Sequence, residues 1–123
     1  MNLVDSSGWL EYFANGKNAK FFAPAIEDTD NLIVSTINLF EVFKKILNER
    51  EEASALQAIG LMQQATVVEV NASIAIRAAK NSADRKIPMA DSLIYSTARL
   101  FNAIVWTQDI DFKNLEGVKY IKK

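Results

Sequence analysis

Short apolar runs alternate with helical patterns from one end of the chain to the other. Leu3-Val4, Leu32-Ile33-Val34, Thr66 to Val70, Ile104-Val105-Trp106 and Val118 to Ile121 are strand-sized and are flanked by turn or capping residues. Stretches of helical length separate them. In Thr36 to Arg50, Leu39, Val42, Phe43 and Ile46 recur at i, i+3, i+4 and i+7, which makes one apolar stripe. Alternation of this kind leaves one main solution, an α/β fold with a mostly parallel sheet of five strands and helices on its faces.

The remaining segments complete the pattern. Ser6-Ser7 are suited to cap a helix through Phe13, which Asn15-Gly16 would end. A second helix is expected over Ala19 to Glu27, with Pro24 either kinking it or lying in its first turn. Glu51 to Gln64 reads as a helix in which Gly60 would mark close packing. Asn71 is a cap for a helix to about Ala83, and Ser82 to Lys86 reads as a polar loop. Ile87-Pro88 sets an extended entry into a helix over Met89 to Phe101. Asp109-Ile110-Asp111-Phe112 reads as one turn of helix.

At 123 residues, the length fits a single domain over 1–123 with one core. No apolar run is long enough to span a membrane and no leader segment is evident, so a soluble, cytoplasmic protein is expected. There is no cysteine and no histidine. Disulfides, thiolate chemistry, zinc-thiolate sites and every histidine-based triad or metal site are thereby excluded. Any catalysis must come from carboxylates, lysine, arginine or hydroxyls, and an oxygen-only ligand set suits Mg²⁺ or Mn²⁺.

Four acids stand beside the apolar runs. Asp5 and Asp109 follow the first and fourth, Glu41 lies one turn into the helix after the second, and Asp91 opens the helix after Ile87-Pro88. In a parallel sheet these positions converge at the carboxyl edge, where α/β folds bind ligands. Each acid has another reading. Asp5 and Asp91 fit first-turn acids favoured by the helix dipole, Glu41 an i,i+4 partner of Lys45, and Asp109 and Asp111 turn residues. Together they pose a repulsion that a divalent cation resolves. Ser6 and Thr107 stand next to two of them and can support the site. The net charge is −1, and the chain without these four acids carries +3, a balance compatible with nucleic acid. Lys44, Lys45, Arg85 and Lys86 are candidate contacts to it.

Four segments carry a family resemblance: Leu3-Val4-Asp5-Ser6-Ser7, Ser35 to Glu41, Ile87-Pro88-Met89-Ala90-Asp91-Ser92-Leu93-Ile94, and Val105-Trp106-Thr107-Gln108-Asp109-Ile110-Asp111-Phe112. In this order they resemble the PIN-domain family, in particular its VapC-type toxin ribonucleases, and Gly117 to Ile121 is similar to the family's last strand. The resemblance implies a PIN-like three-layer sandwich and Mg²⁺- or Mn²⁺-dependent cleavage of single-stranded or looped RNA. It implies Asp5, Glu41, Asp91 and Asp109 as the metal-binding acids and Ser6 and Thr107 in support, with Asp111 as a second candidate for the fourth acid. It also implies a homodimer held in check by a VapB-like antitoxin. An RNA-processing nuclease without an antitoxin, or a non-catalytic binding module, would keep the same fold. Other α/β families fit less well. A haloacid-dehalogenase-like phosphatase would need a second Asp where Ser7 stands, and a dinucleotide-binding turn would need more glycine than Gly8. A receiver domain would need an Asp near Val70-Asn71.

Overall fold

The computed structural model describes residues 1–123. Five strands form one sheet: β1 (Asn2–Val4), β2 (Leu32–Ser35), β3 (Thr66–Val68), β4 (Ile104–Thr107) and β5 (Val118–Tyr120). Their order is β3-β2-β1-β4-β5, and every pairing is parallel. Six helices flank it: α1 (Ser6–Phe13), α2 (Ala19–Glu27), α3 (Thr36–Glu49), α4 (Glu52–Met62), α5 (Ala72–Arg85) and α6 (Met89–Leu100). No helix is long and apolar enough to cross a membrane.

The strands are buried on both faces, which is why they read as continuous apolar runs. Their side chains still sort by the two-residue period. Val4, Leu32 and Val34 join Trp9, Phe22, Val42 and Met62 in a core beneath α1 to α4. Leu3, Ile33 and Val105, which lie opposite one another in register, join Ile94, Tyr95, Ala98 and Phe112 in a second core beneath α6. Each fully buried Leu, Ile, Val or Phe contributes about 1.5–3 kcal/mol. Helix α5 packs on α6, giving helix, sheet and helix layers. The chain leaves β1 toward β2 on one side and later returns to β4 on the other. The topological switch point is therefore the carboxyl end of β1 beside β4, where a crevice must open.

Several boundaries differ from the sequence reading. The helix cap at the start of α1 is Asp5, not Ser6 or Ser7, with its side chain accepting from the Gly8 N–H. Pro24 lies inside α2. It leaves the Lys20 carbonyl without its helical donor, a tolerable loss because Lys20 faces solvent. Gly60 packs against nothing, since a Cβ there would meet no atom within 4 Å. Strand β3 stops at Val68, and the Val70 N–H instead donates to Thr36 Oγ1. The supposed loop Ser82 to Lys86 is helical through Arg85, because nothing before Lys86 breaks α5. Lys86 then turns into the left-handed region at φ 56°, and Ser82 Oγ donates to the Ile87 carbonyl at 2.7 Å.

Candidate metal centre

Asp5 is delivered by the end of β1 and locked there. Only 2% of it is exposed. Thr107 Oγ1, at the end of β4, donates to Asp5 Oδ2 at 2.7 Å, Ser7 Oγ contacts both Asp5 oxygens at 2.9 Å, and the Gly8 N–H donates to Oδ1 at 2.9 Å. Burial nevertheless pushes the Asp5 carboxyl up to about 6, against the lowering effect of these bonds, with nearby Asp109 adding to the rise. Asp5 thus caps α1 and also lines the cavity.

Gly8 is required by this geometry. A Cβ at position 8 would lie 2.6 Å from Val4 Cγ1 and 2.7 Å from Phe22 Cε1, and both side chains are fully buried. Gly8→Ala is expected to cost about 1–3 kcal/mol of stability, read as a lower urea midpoint. It should also move the Asp5 cap. An unchanged midpoint would show that Val4 and Phe22 have room to yield.

Glu41 reaches the same cavity from α3. Ser35 caps this helix: its Oγ accepts from the Ile37 N–H, while Asn38 Oδ1 accepts from the Ser35 N–H at 3.0 Å. The fully buried Asn38 donates from Nδ2 to Ser6 Oγ at 3.1 Å, and Ser6 Oγ donates to Glu41 Oε1 at 2.7 Å. The cap of α3 is thus wired to its acid. The sequence reading missed Asn38. Its signal was present as Ser-x-x-Asn, a capping-box pattern with the shorter Asn in place of Glu or Gln, three residues before Glu41. The Lys45 pairing considered for Glu41 does not form, because Lys45 binds Glu49 at 2.9 Å.

Asp91 is the third residue of α6, whose N-cap Pro88 offers no side-chain bond. Asp109 follows β4 and caps a short 3₁₀ turn, accepting from the Asp111 N–H at 2.9 Å. Its own N–H donates to Thr107 Oγ1 at 2.8 Å. Thr107 therefore links Asp5 to Asp109. Carboxylate oxygens of Asp91, Asp109 and Asp111 lie within 4.8 Å of one another. The Asp91 carboxyl is pushed up to about 7, first by burial and then by the charges of Asp109, Asp111, Glu41 and Asp5.

Asp5, Glu41, Asp91 and Asp109 line one cavity of about 420 Å³, with Ser6 and Ser7. Asp111 stands beside Asp91 and Asp109 at its outer side, more exposed. All the acids named from the sequence are brought together. A further buried amide supports the floor: Gln108 contacts the Ser7 carbonyl through Nε2 and accepts from Asn18 Nδ2, which also donates to the Lys122 carbonyl. The donor set is oxygen only and strongly acidic, the chemistry of a site for a hard divalent cation.

The PIN domain sequence profile matches residues 3–118. No match was found among curated proteins. Among solved structures, a toxin-antitoxin complex from Klebsiella pneumoniae is 21% identical, with TM-score 0.81 over 97% of this chain and 96% of the other. VapC20 from Mycobacterium tuberculosis, described as a toxin that cleaves the sarcin–ricin loop, is 17% identical, with TM-score 0.79 over 96% and 97%. VapBC from Salmonella typhimurium, bound to DNA, is 17% identical, with TM-score 0.75 over 99% and 98%. At these identities the likeness is one of fold. The profile match spans nearly the whole chain and includes every acid of the cavity: the chain belongs to the PIN domain family.

Proposed function

We propose that this chain is a Mg²⁺- or Mn²⁺-dependent endoribonuclease, the toxin of a VapBC-like pair, acting in the cytoplasm as a single-domain protein that pairs with a second copy. The observation that carries this reading is the crowding of Asp91 by four other acids. A carboxyl raised to about 7 by burial first and then by like charges is a poor structural element and a good ligand position.

Asp5, Glu41, Asp91 and Asp109 would hold the metal, with Asp111 beside them. When bound, the cation neutralises these acids and activates water for hydrolysis of a phosphodiester. The chain's own residues fix the acids. Thr107 and Ser7 orient Asp5, Ser6 and Asn38 orient Glu41, and the 3₁₀ turn orients Asp109. Without histidine, the proton accepted from the attacking water must pass to a carboxylate or to solvent.

A VapB-like antitoxin is supported by a second cavity of about 600 Å³ that shares Ser7, Leu10 and Lys45 with the first and is also lined by Phe13, Ile46 and Leu61. An amphipathic segment seated there would reach the acids. Inducible expression tests the reading: growth arrest with RNA cleavage is expected, relieved by co-expressing a small gene adjoining this one. Normal growth with intact RNA would count against a toxin.

A further inference from the structure

The α3 wall of the acidic cavity differs in character from the rest. Phe40, one residue before Glu41, lines the cavity and is 63% exposed. An exposed phenyl alone means little. Here it belongs to a strip. Lys44, one turn on, has its ammonium 5.8 Å from the Phe40 ring centroid, and Lys45 and Asn48 line the same cavity. Lys44 and Lys45 are the only basic residues in that lining. The Lys45–Glu49 pair is more than half exposed on both sides and is weak enough to be exchanged for another anion.

We infer that this strip of α3 is the substrate-gripping lip of the site: Phe40 stacks on a nucleobase of single-stranded RNA beside the scissile phosphodiester, and Lys44 and Lys45 hold the adjoining phosphates. The inference rests on the ribonuclease reading. A phosphate approaching a ring of acids meets repulsion, so the cations that offset it must sit at the rim, where these lysines are. A flat ring next to them offers what an unpaired base needs and what a paired base, stacked inside a duplex, cannot reach. The cavity falls in the range of about 300–1,000 Å³ typical of small-molecule sites. Stacking is tolerant of base identity, so the lip selects single-stranded character over sequence.

The test uses the full chain with Mn²⁺ and a mixed-sequence single-stranded RNA, alongside the same backbone lacking bases. Phe40→Ala is expected to raise KM by about tenfold with kcat changed less than about twofold. Its stability should be unchanged, since the ring is exposed and Ala is a good helix former. Phe40→Trp should restore KM, and its added indole fluorescence should fall with the RNA but not with the base-free strand. Lys44→Ala with Lys45→Ala should raise KM and flatten its salt dependence. An unchanged KM in Phe40→Ala, or an indole blind to RNA, overturns the inference. So does a rise in KM that tracks loss of a dimer in sedimentation, which would make Phe40 a contact between copies. If the parent cuts RNA and Phe40→Ala cuts it equally well, this inference fails alone. If the parent cuts none, the ribonuclease reading fails first.

Discussion

Asp91→Asn is expected to lower Mn²⁺-dependent RNA cleavage at least about a hundredfold, the usual scale for losing one charge-stabilising group at a reacting centre. The same change should make the metal-free protein more stable at pH 8. The two effects share a cause. Partial burial raises the Asp91 carboxyl first, and the charges of Asp109, Asp111, Glu41 and Asp5 add to it, to about 7. Above that pH the folded protein must keep a repelled charge out of water. A neutral amide of the same shape removes the repulsion, and after allowance for solvent screening the gain is about 1–2 kcal/mol. Urea unfolding in EDTA measures it. A variant that is less stable at pH 8 would mean that Asp91 is a structural acid with partners of its own, and full cleavage activity would remove it from the metal site.

In EDTA, the parent is expected to lose stability as pH rises from about 5 to 8, the reverse of the usual acid limb. Asp5 and Asp91 titrate near 6 and 7 in the folded chain against 3.8 for an ordinary Asp. Between 3.8 and about 7 the folded state therefore holds more protons than the unfolded state. Stability then falls with rising pH and levels off above the folded values. Asp5, almost wholly buried, accounts for about 3 kcal/mol over the whole span from below pH 3.8 to above pH 6, roughly two units at about 1.36 kcal/mol each, of which about half is lost between roughly pH 5 and 8. The more solvated Asp91 accounts for less. Mn²⁺ at about a hundred times its dissociation constant should return about 2.7 kcal/mol at pH 8, and more there than at pH 5, where protons compete with it. Subtracting the Asp91→Asn profile isolates the Asp91 share. A flat or rising profile in EDTA would show that the hydrogen bonds to Asp5 outweigh its burial.

The layer architecture was legible because burial on both sheet faces turns each strand into an apolar run, and α3 and α6 carry strong stripes. Segment ends were less so. The end of α5 depends on Lys86 adopting a positive φ, and the end of β3 on Val70 finding Thr36 Oγ1 in place of a ladder partner. Neither is a property of local composition. The acids were legible as a set, since parallel strands with acids at their carboxyl ends can lead only to one edge. Their wiring was not. Asn38 and Ser6 lie 32 residues apart, and Asp5 and Thr107 lie 102 apart, so each bond exists only once β1, β2 and β4 are paired. Asp109 and Asp111 differ in placement: Asp109 accepts from the Asp111 N–H and lines the cavity, and Asp111 is exposed beside it, with oxygens of both within reach of Asp91.

Calorimetric titration of Mn²⁺ into the metal-free protein at pH 7, in buffers of different ionisation enthalpy, tests the central claim most directly. Saturable binding accompanied by proton release is the expected result, because Asp5 and Asp91 are partly protonated at that pH and must deprotonate to act as ligands. The binding should vanish in the Asp5→Asn, Asp91→Asn double variant. Absence of binding in the parent, or equal binding in the double variant, would contradict the account and leave the acids as part of a non-catalytic PIN domain.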